Sequence, residues 1–146
     1  MELNLDGIKD ASLWKGYRLP EYDIVKMCNT TKDNPVWLHF GAGNIFRAFI
    51  CAAAQKLLNE GAADTGIICA ESSFGTEIIT ECYRPHDNLC VSVTLNPDGS
   101  IDKEVVGSVA ESLTVAYDMD RISDIVCAPS LQLVSFTITE KGYAIK

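Results

Sequence analysis

Apolar and polar positions along this chain fall into short blocks whose period switches between that of a strand and that of a helix. Val36 to Phe40 is a brief apolar run; Gly41-Ala42-Gly43 interrupts it; Asn44 to Leu58, rich in Ala and Leu, follows at once. That order predicts a strand, a tight turn and a helix, with Asn59-Glu60-Gly61 as the helix stop. Thr65 to Ala70 reads as a second buried strand that ends at Glu71. Phe74 to Arg84 fits a helix with Phe74, Ile78, Ile79 and Cys82 as its apolar stripe, broken by Pro85 to Asn88.

Leu89 to Leu95 then alternates as a strand does, Asn96-Pro97-Asp98-Gly99 signals a turn, and Ile101 to Val109 reads as the returning strand. Ala116 to Cys127 predicts a helix with Ile122, Ile125 and Val126 facing inward, and with Asp118, Asp120 and Asp124 on a solvated face; Pro129 ends it. Leu131 to Ile138 is the next buried strand. Before all of these, Met1 to Asn34 is polar and broken by Gly7, Gly16 and Pro20, an arm expected to pack on the domain with a short helix over Tyr22 to Cys28. The expected layout is an arm over residues 1–35 and a dinucleotide-binding domain over 36–146. The fold class is α/β: a Rossmann-like domain with a parallel sheet and an inserted β-hairpin.

The turn carries the chemistry. Gly41 can take the sharp bend out of the strand, and Gly43, having no Cβ, lets the main chain approach a pyrophosphate. The first-turn N–H groups of Asn44, Ile45 and Phe46 have no intrahelical acceptor and lie at the positive end of the helix dipole, where an anion fits. Ala42 belongs to the same backbone cradle. The usual third glycine is replaced by Phe46, which must find a pocket of its own or point toward the cofactor. Arg47 either approaches the phosphates or pairs with a nearby carboxylate, since a cation in a first turn opposes the dipole.

Glu71, at the end of the second strand, stands where a carboxylate accepts the ribose hydroxyls of the adenosine half. It would repel a 2′-phosphate, and neither Ser72 nor Ser73 has an Arg or Lys beside it, so NAD is the expected cofactor. His39, inside the first strand, reads as a satisfied, half-buried strand residue rather than a catalytic one.

Composition narrows the partners. At 146 residues the chain is one domain's worth, and 47% hydrophobic with 22% charged residues is ordinary for a globular protein. A net charge of −8 disfavours nucleic acid and anionic membrane surfaces, though not a single local anion site. The six cysteines form no CxxC pair and no Cys/His cluster, which favours reduced, mostly buried thiols in a cytoplasmic protein over a metal site or a disulfide scaffold. Neither a signal peptide nor a bilayer-length apolar run is evident.

Two segments, in the same order, resemble a known family. Gly41-Ala42-Gly43-Asn44-Ile45-Phe46-Arg47-Ala48-Phe49-Ile50 is similar to the start of the mannitol dehydrogenase superfamily of long-chain polyol and hexuronate dehydrogenases, with its Gly-x-Gly, aromatic and Arg-Ala. Val134 to Tyr143 resembles the Ser-x-Thr-x-Thr-Glu-x-Gly-Tyr segment of the same superfamily. Arg18 to Asp23 and the hairpin also fit. The resemblance implies that Thr137, Thr139 and Glu140 line the nicotinamide side of the cleft. It further implies a hydride transfer between NAD and a sugar alcohol or a hexuronate.

In that superfamily the catalytic lysine, with its Asn and His partners, sits in a helical second domain, and no residue here matches that motif. Lys141 belongs to a different segment. The expectation is therefore a cofactor-binding piece with no catalytic residue of its own, inactive alone, whose uncovered apolar surface favours self-association. Two rivals stay open: an adenosylmethionine-dependent methyltransferase, which also places a glycine turn after strand 1 and an acid after strand 2, and a non-catalytic nucleotide-binding module.

Overall fold

A computed structural model describes residues 1–72 and 75–138. Four parallel strands form the central sheet in the order β5-β2-β1-β6: β1 is Trp37–Phe40, β2 Ile67–Glu71, β5 Val109–Thr114 and β6 Leu133–Phe136. The chain builds outward from β1 through β2 to β5, then returns to the other side of β1 to lay down β6. Strands β3 (Cys90–Leu95) and β4 (Ile101–Val106) pair antiparallel in a separate two-stranded sheet, the expected inserted hairpin. This is a Rossmann-like α/β arrangement.

The apolar blocks become strands and helices for the reasons their patterns suggest, with instructive departures. Asp23 caps α1 (Ile24–Asp33) by accepting from the Lys26 N–H at 2.9 Å. That helix runs past the expected end at Cys28. The hydroxyls of Thr30 and Thr31 bond back to the carbonyls of Lys26 and Met27, so two residues with weak helix preference are absorbed into it.

The apolar run after the hairpin turn is two strands rather than one. β4 stops at Val106, and the chain turns a corner at Gly107 and Ser108 to enter the central sheet as β5, parallel to β2. Gly107 fits there because a Cβ would lie 3.0 Å from Leu89 Cδ2 and 3.1 Å from Ile24 Cδ1.

Both helices that follow β1 and β2 contain wide π turns. Phe46–Cys51 is π-wound before α2 (Ala52–Asn59), and Ile78–Tyr83 is π-wound as a whole. In the second of these Tyr83 is buried and Cys82 exposed, so the expected stripe is shifted by one residue. Helix α3 (Met119–Val126) buries Ile122 and Ile125 but exposes Val126.

Asp118 is no solvated helix acid. It accepts from the Thr114 N–H at 2.8 Å, the Thr114 hydroxyl at 3.1 Å and Arg84 Nη2 at 2.8 Å, which is why α3 starts at Met119 and not at Ala116. Burial pushes its carboxyl up, but Thr114 and Arg84 together hold it below the ordinary carboxylate value.

β6 also departs from expectation. Only β1 flanks it among the described residues, and Leu133, Val134 and Phe136 are exposed, so it is an edge strand rather than a buried one.

The N-terminal segment lies against the hairpin and α1. Trp14 is buried with Met27, Leu58, Leu89 and Val105, and Arg18 exchanges main-chain hydrogen bonds with Lys103 and Val105 along the outer edge of β4. Of the six cysteines, all unpaired, Cys51 and Cys69 are buried, Cys28 and Cys90 are partly covered, and Cys82 and Cys127 are exposed, fewer buried than the pattern predicts. Among the described residues no helix is long and apolar enough to cross a membrane.

Candidate functional site

The sheet changes its direction of growth between β1 and β6, and the carboxyl ends of β1, β2 and β6 meet there. Crevices at such switch points receive ligands in open α/β sheets. Gly41 leaves β1 with φ +105°, a conformation that costs L-residues strain, and its N–H donates to the Ala70 carbonyl at 2.9 Å. A Cβ at Gly41 would also lie 2.4 Å from Thr137 Oγ1, so the fold itself demands glycine at this position.

Gly43 is the opposite case. Its φ is ordinary and a Cβ there would meet nothing within 4 Å. The fold leaves open the space a side chain would fill, directly over the turn. That is a cradle suited to a phosphate approaching the main chain.

Glu71 reaches back from the end of β2 and accepts the Ala42 N–H at 2.7 Å and the Ser72 N–H at 2.8 Å. A carboxylate offers about four lone-pair sites, so about two remain for a vicinal diol. Gly75 gives this side chain room, since a Cβ on it would lie 2.6 Å from Glu71 Cγ. Among the described residues no cation pairs with Glu71.

Tyr83 ties the second π-wound turn to the same loop by donating its hydroxyl to the Ala42 carbonyl at 3.1 Å. Burial pushes its phenol far above the ordinary value, so it stays a neutral donor. The Arg47 guanidinium lies over the Tyr83 ring, 5.9 Å from its centroid, and donates to Asn44 Oδ1 at 2.5 Å. It takes no carboxylate partner among the described residues. With Asn44 and Ala48 it lines a cleft of about 220 Å³ against Cys90, Val91, Ser92 and Val93 of the hairpin.

Beneath the turn, His39 is fully buried, more deeply than its strand pattern suggests. Its Nδ1 lies 2.7 Å from Ser135 Oγ and its Nε2 lies 3.2 Å from Thr137 Oγ1. Trp37 Nε1 donates to the same Ser135 oxygen at 2.7 Å, and Thr137 Oγ1 donates to the Gly41 carbonyl at 3.4 Å. Phe46, in place of the third glycine, stacks on the His39 ring with centroids 4.2 Å apart and planes 7° from parallel. It has found a pocket and does not point to the cleft. Burial pulls the His39 pKa below 6.5, against the opposing pull of the Gly41 carbonyl and Glu71.

No protein-family model matches the chain. Over 151 aligned residues it is 46% identical to the D-mannonate oxidoreductase of Thermotoga maritima, covering 100% of this chain and 28% of that protein. It is 29% identical over 136 residues to the polyol:NADP oxidoreductase of Gluconobacter oxydans, covering 92% of the chain and 27% of the relative. Its fold matches that of mannitol 2-dehydrogenase from Pseudomonas fluorescens, solved as a ternary complex with NAD and D-mannitol, at a TM-score of 0.84. There the sequence identity is 24%, and the match takes in 99% of this chain and 28% of that one.

The chain is similar to one part of oxidoreductases named for D-mannonate, polyols and mannitol. It spans little more than a quarter of the length of the relatives it matches.

Of the residues that the superfamily pattern and the turn nominate, the structure brings Gly41, Ala42, Glu71, Ser72 and Thr137 into one hydrogen-bonded group around the switch point. Gly43 and Asn44 border it; Phe46 lies under it; Arg47 flanks it. Ile45 is an exposed side chain, so its contribution is confined to its backbone N–H. Thr139 and Glu140 lie outside the described residues, as do Ser73 and Phe74. Among the described residues no cluster of His, Cys, Asp or Glu is placed to hold a metal ion.

Sequence reasoning passed over Tyr83, Ser135, Gly75 and the reach of His39. One signal for His39 was available. A polar residue in a buried strand needs partners, and Ser135 on the flanking strand and Thr137 just past its end, two apart in sequence, reach the same side.

Proposed function

We propose that this chain is the NAD-binding part of an oxidoreductase that interconverts a sugar alcohol or a hexonate with its keto form. The observation that carries the reading is the Glu71 carboxylate. It is held at the glycine turn by the Ala42 N–H, keeps lone pairs for a ribose diol, and has no cation among the described residues that would welcome a 2′-phosphate. The open space at Gly43 and the phosphate-facing N–H groups of Asn44 and Ile45 support a pyrophosphate beside it. The relatives named for D-mannonate and for polyols support the substrate class.

When bound, NAD supplies hydride transfer at the nicotinamide. This chain's share is to bind and orient the nucleotide. Gly41 and Gly43 bring the backbone to the phosphates, Glu71 takes the ribose, and Thr137 borders the nicotinamide side. Contact with substrate and movement of the hydroxyl proton fall to residues outside the chain, so the chain alone is expected to be inactive. Six unpaired cysteines support a reducing compartment such as the cytoplasm. The apolar face of β6 supports self-association.

Calorimetric titration with NAD, NADP and adenosylmethionine tests this. NAD is expected to bind in preference to the other two, with affinity falling about tenfold in Glu71→Ala as the ribose hydrogen bonds are lost. Selective binding of adenosylmethionine, or binding of none of the three, overturns it. Preference for NADP would leave the fold assignment intact and remove Glu71 from the ribose.

A further inference from the structure

We propose that His39 is the positioning residue of the dinucleotide turn: a neutral imidazole, protonated on Nε2, that holds Thr137 against Gly41 and gives Phe46 its seat. The inference rests on the reading of the Gly41 turn as a nucleotide site and says how that turn is held in shape.

The tautomer follows from the two ends of the hydrogen-bond chain. Trp37 Nε1 is only a donor, and it lies 2.7 Å from Ser135 Oγ. The Gly41 carbonyl is only an acceptor, and Thr137 Oγ1 donates to it. With one end donating and the other accepting, every bond between them runs the same way. Ser135 accepts from Trp37 and gives its own hydrogen to His39 Nδ1; His39 gives its Nε2 hydrogen to Thr137; Thr137 gives its hydrogen to Gly41. The opposite tautomer leaves the Gly41 carbonyl without the Thr137 hydrogen and the Ser135 hydrogen without a place in the chain.

Geometry makes this ring matter to the turn. The Gly41 carbonyl it steadies belongs to a residue in a strained conformation at φ +105°, whose Cβ space Thr137 occupies. The same ring offers its face to Phe46, the residue standing where the usual fingerprint has a third glycine. The flat stack at 4.2 Å replaces the close helix-to-strand approach that glycine would otherwise allow. A single side chain therefore sets both the strand end and the first helical turn, the two walls of the phosphate cradle.

Protonation would disturb that arrangement. A second ring hydrogen displaces the Ser135 hydrogen from Nδ1 and places a cation where water does not reach. Among the described residues, the charged group acting on the ring is Glu71, the carboxylate that holds the Ala42 N–H; Cys69, paired with His39 across β2, is a thiol that burial keeps neutral. From β6 the ring meets only the Ser135 and Thr137 hydroxyls, and from the helix only Phe46. Acid would set the ring competing for Glu71 with the turn it supports.

Two measurements decide it. In the histidine-labelled chain, nitrogen-detected NMR is expected to show His39 as a neutral Nε2–H ring that takes up its second proton only below the ordinary imidazole range. NAD affinity is then followed against pH for the wild type, His39→Gln and His39→Phe. Wild-type affinity should fall on the acid side. His39→Gln, whose amide can still donate to Thr137, should stay within about threefold of wild type at neutral pH and lose the acid limb. His39→Phe, which keeps only the stack, should bind about tenfold more weakly.

An Nδ1–H ring, or His39→Phe binding NAD as wild type does, overturns the inference and leaves the nucleotide reading standing. An acid limb that persists in His39→Gln overturns it as well. A wild-type chain that binds no dinucleotide overturns both, and the NMR pattern would then describe a structural ring only.

Discussion

Gln55 and His39, two of the polar side chains that lie beyond the reach of water, hold their surroundings in different ways. Gln55 on α2 makes four hydrogen bonds. Its Nε2 donates to Glu104 Oε1 at 2.7 Å and the Val105 carbonyl at 2.9 Å, and its Oε1 accepts the Gly107 N–H at 2.8 Å and the Tyr22 hydroxyl at 3.3 Å. Two of those partners are main-chain groups that cannot turn. His39, by contrast, meets two hydroxyls, each free to rotate its hydrogen, on a ring that can take up a proton. The Gln55 end, where arm, helix and hairpin meet, is a fixed joint; the His39 end, where the Gly41 turn sits, is adjustable. A buried polar residue rigidifies in proportion to how little its partners can rearrange.

The largest effect should come from breaking the fixed joint. Gln55→Leu strands the Gly107 N–H and the Val105 carbonyl in the interior, and chemical denaturation should show a loss of roughly 3 kcal/mol. The neutral ring pattern of His39 should survive in whatever folded fraction remains. If it does not, the two ends are coupled and the contrast fails.

A second pair of variants works within the turn. Gly41→Ala should cost about 2 kcal/mol or more, from strain at φ +105° and collision with Thr137. Gly43→Ala should leave the denaturation midpoint within about 0.5 kcal/mol of wild type while weakening NAD about tenfold. Equal loss of stability in both would mean that Gly43 serves the fold and not a ligand.

The pH dependence is smaller and separates the two ends by sign. The His39 pKa is lowered in the native state, so below its ordinary 6.5 the unfolded chain binds more protons. The stability it lends is complete above 6.5 and is lost as pH falls toward the native value; Gln55 has nothing to titrate there. Denaturation midpoints across that window should slope in the wild type and flatten in His39→Gln. The Asp118 limb lies lower, beneath the ordinary 3.8, because its native carboxyl is held down by Thr114 and Arg84. Smallest of all is Arg18→Gln. Its guanidinium is exposed, and its pair with Glu104 at 3.0 Å should be worth no more than about 0.5 kcal/mol, leaving the Gln55 joint intact.

What the chain revealed about itself follows from how local each signal is. The strand, turn and helix from Val36 to Leu58 were legible because Gly41 and the apolar periods on either side act over a few residues. The boundary between β4 and β5 was not, because Ile101 to Val109 reads as one returning strand, and Gly107 marks a corner only once Leu89 and Ile24 pack against it. β6 looked buried because its residues are apolar, yet burial depends on what lies beyond the edge of the sheet. At the site, Gly41 and Glu71 announced themselves by residue type. Tyr83 and Ser135 did not, since each reaches the turn from a strand or helix far along the chain.

The uneven burial of the six thiols makes the domain its own gauge of opening. Cys82 and Cys127 stand exposed and will react with a thiol reagent in the native state. Cys90 is pushed up to about 11 by burial, and Cys51 and Cys69 are pushed higher still, so they stay protonated and hidden while the sheet is closed. Cys69 sits on β2, between β1 and β5 at the middle of the sheet. Two fast modifications followed by slow ones would therefore time the rate at which the central sheet comes apart, with no label added and no ligand present.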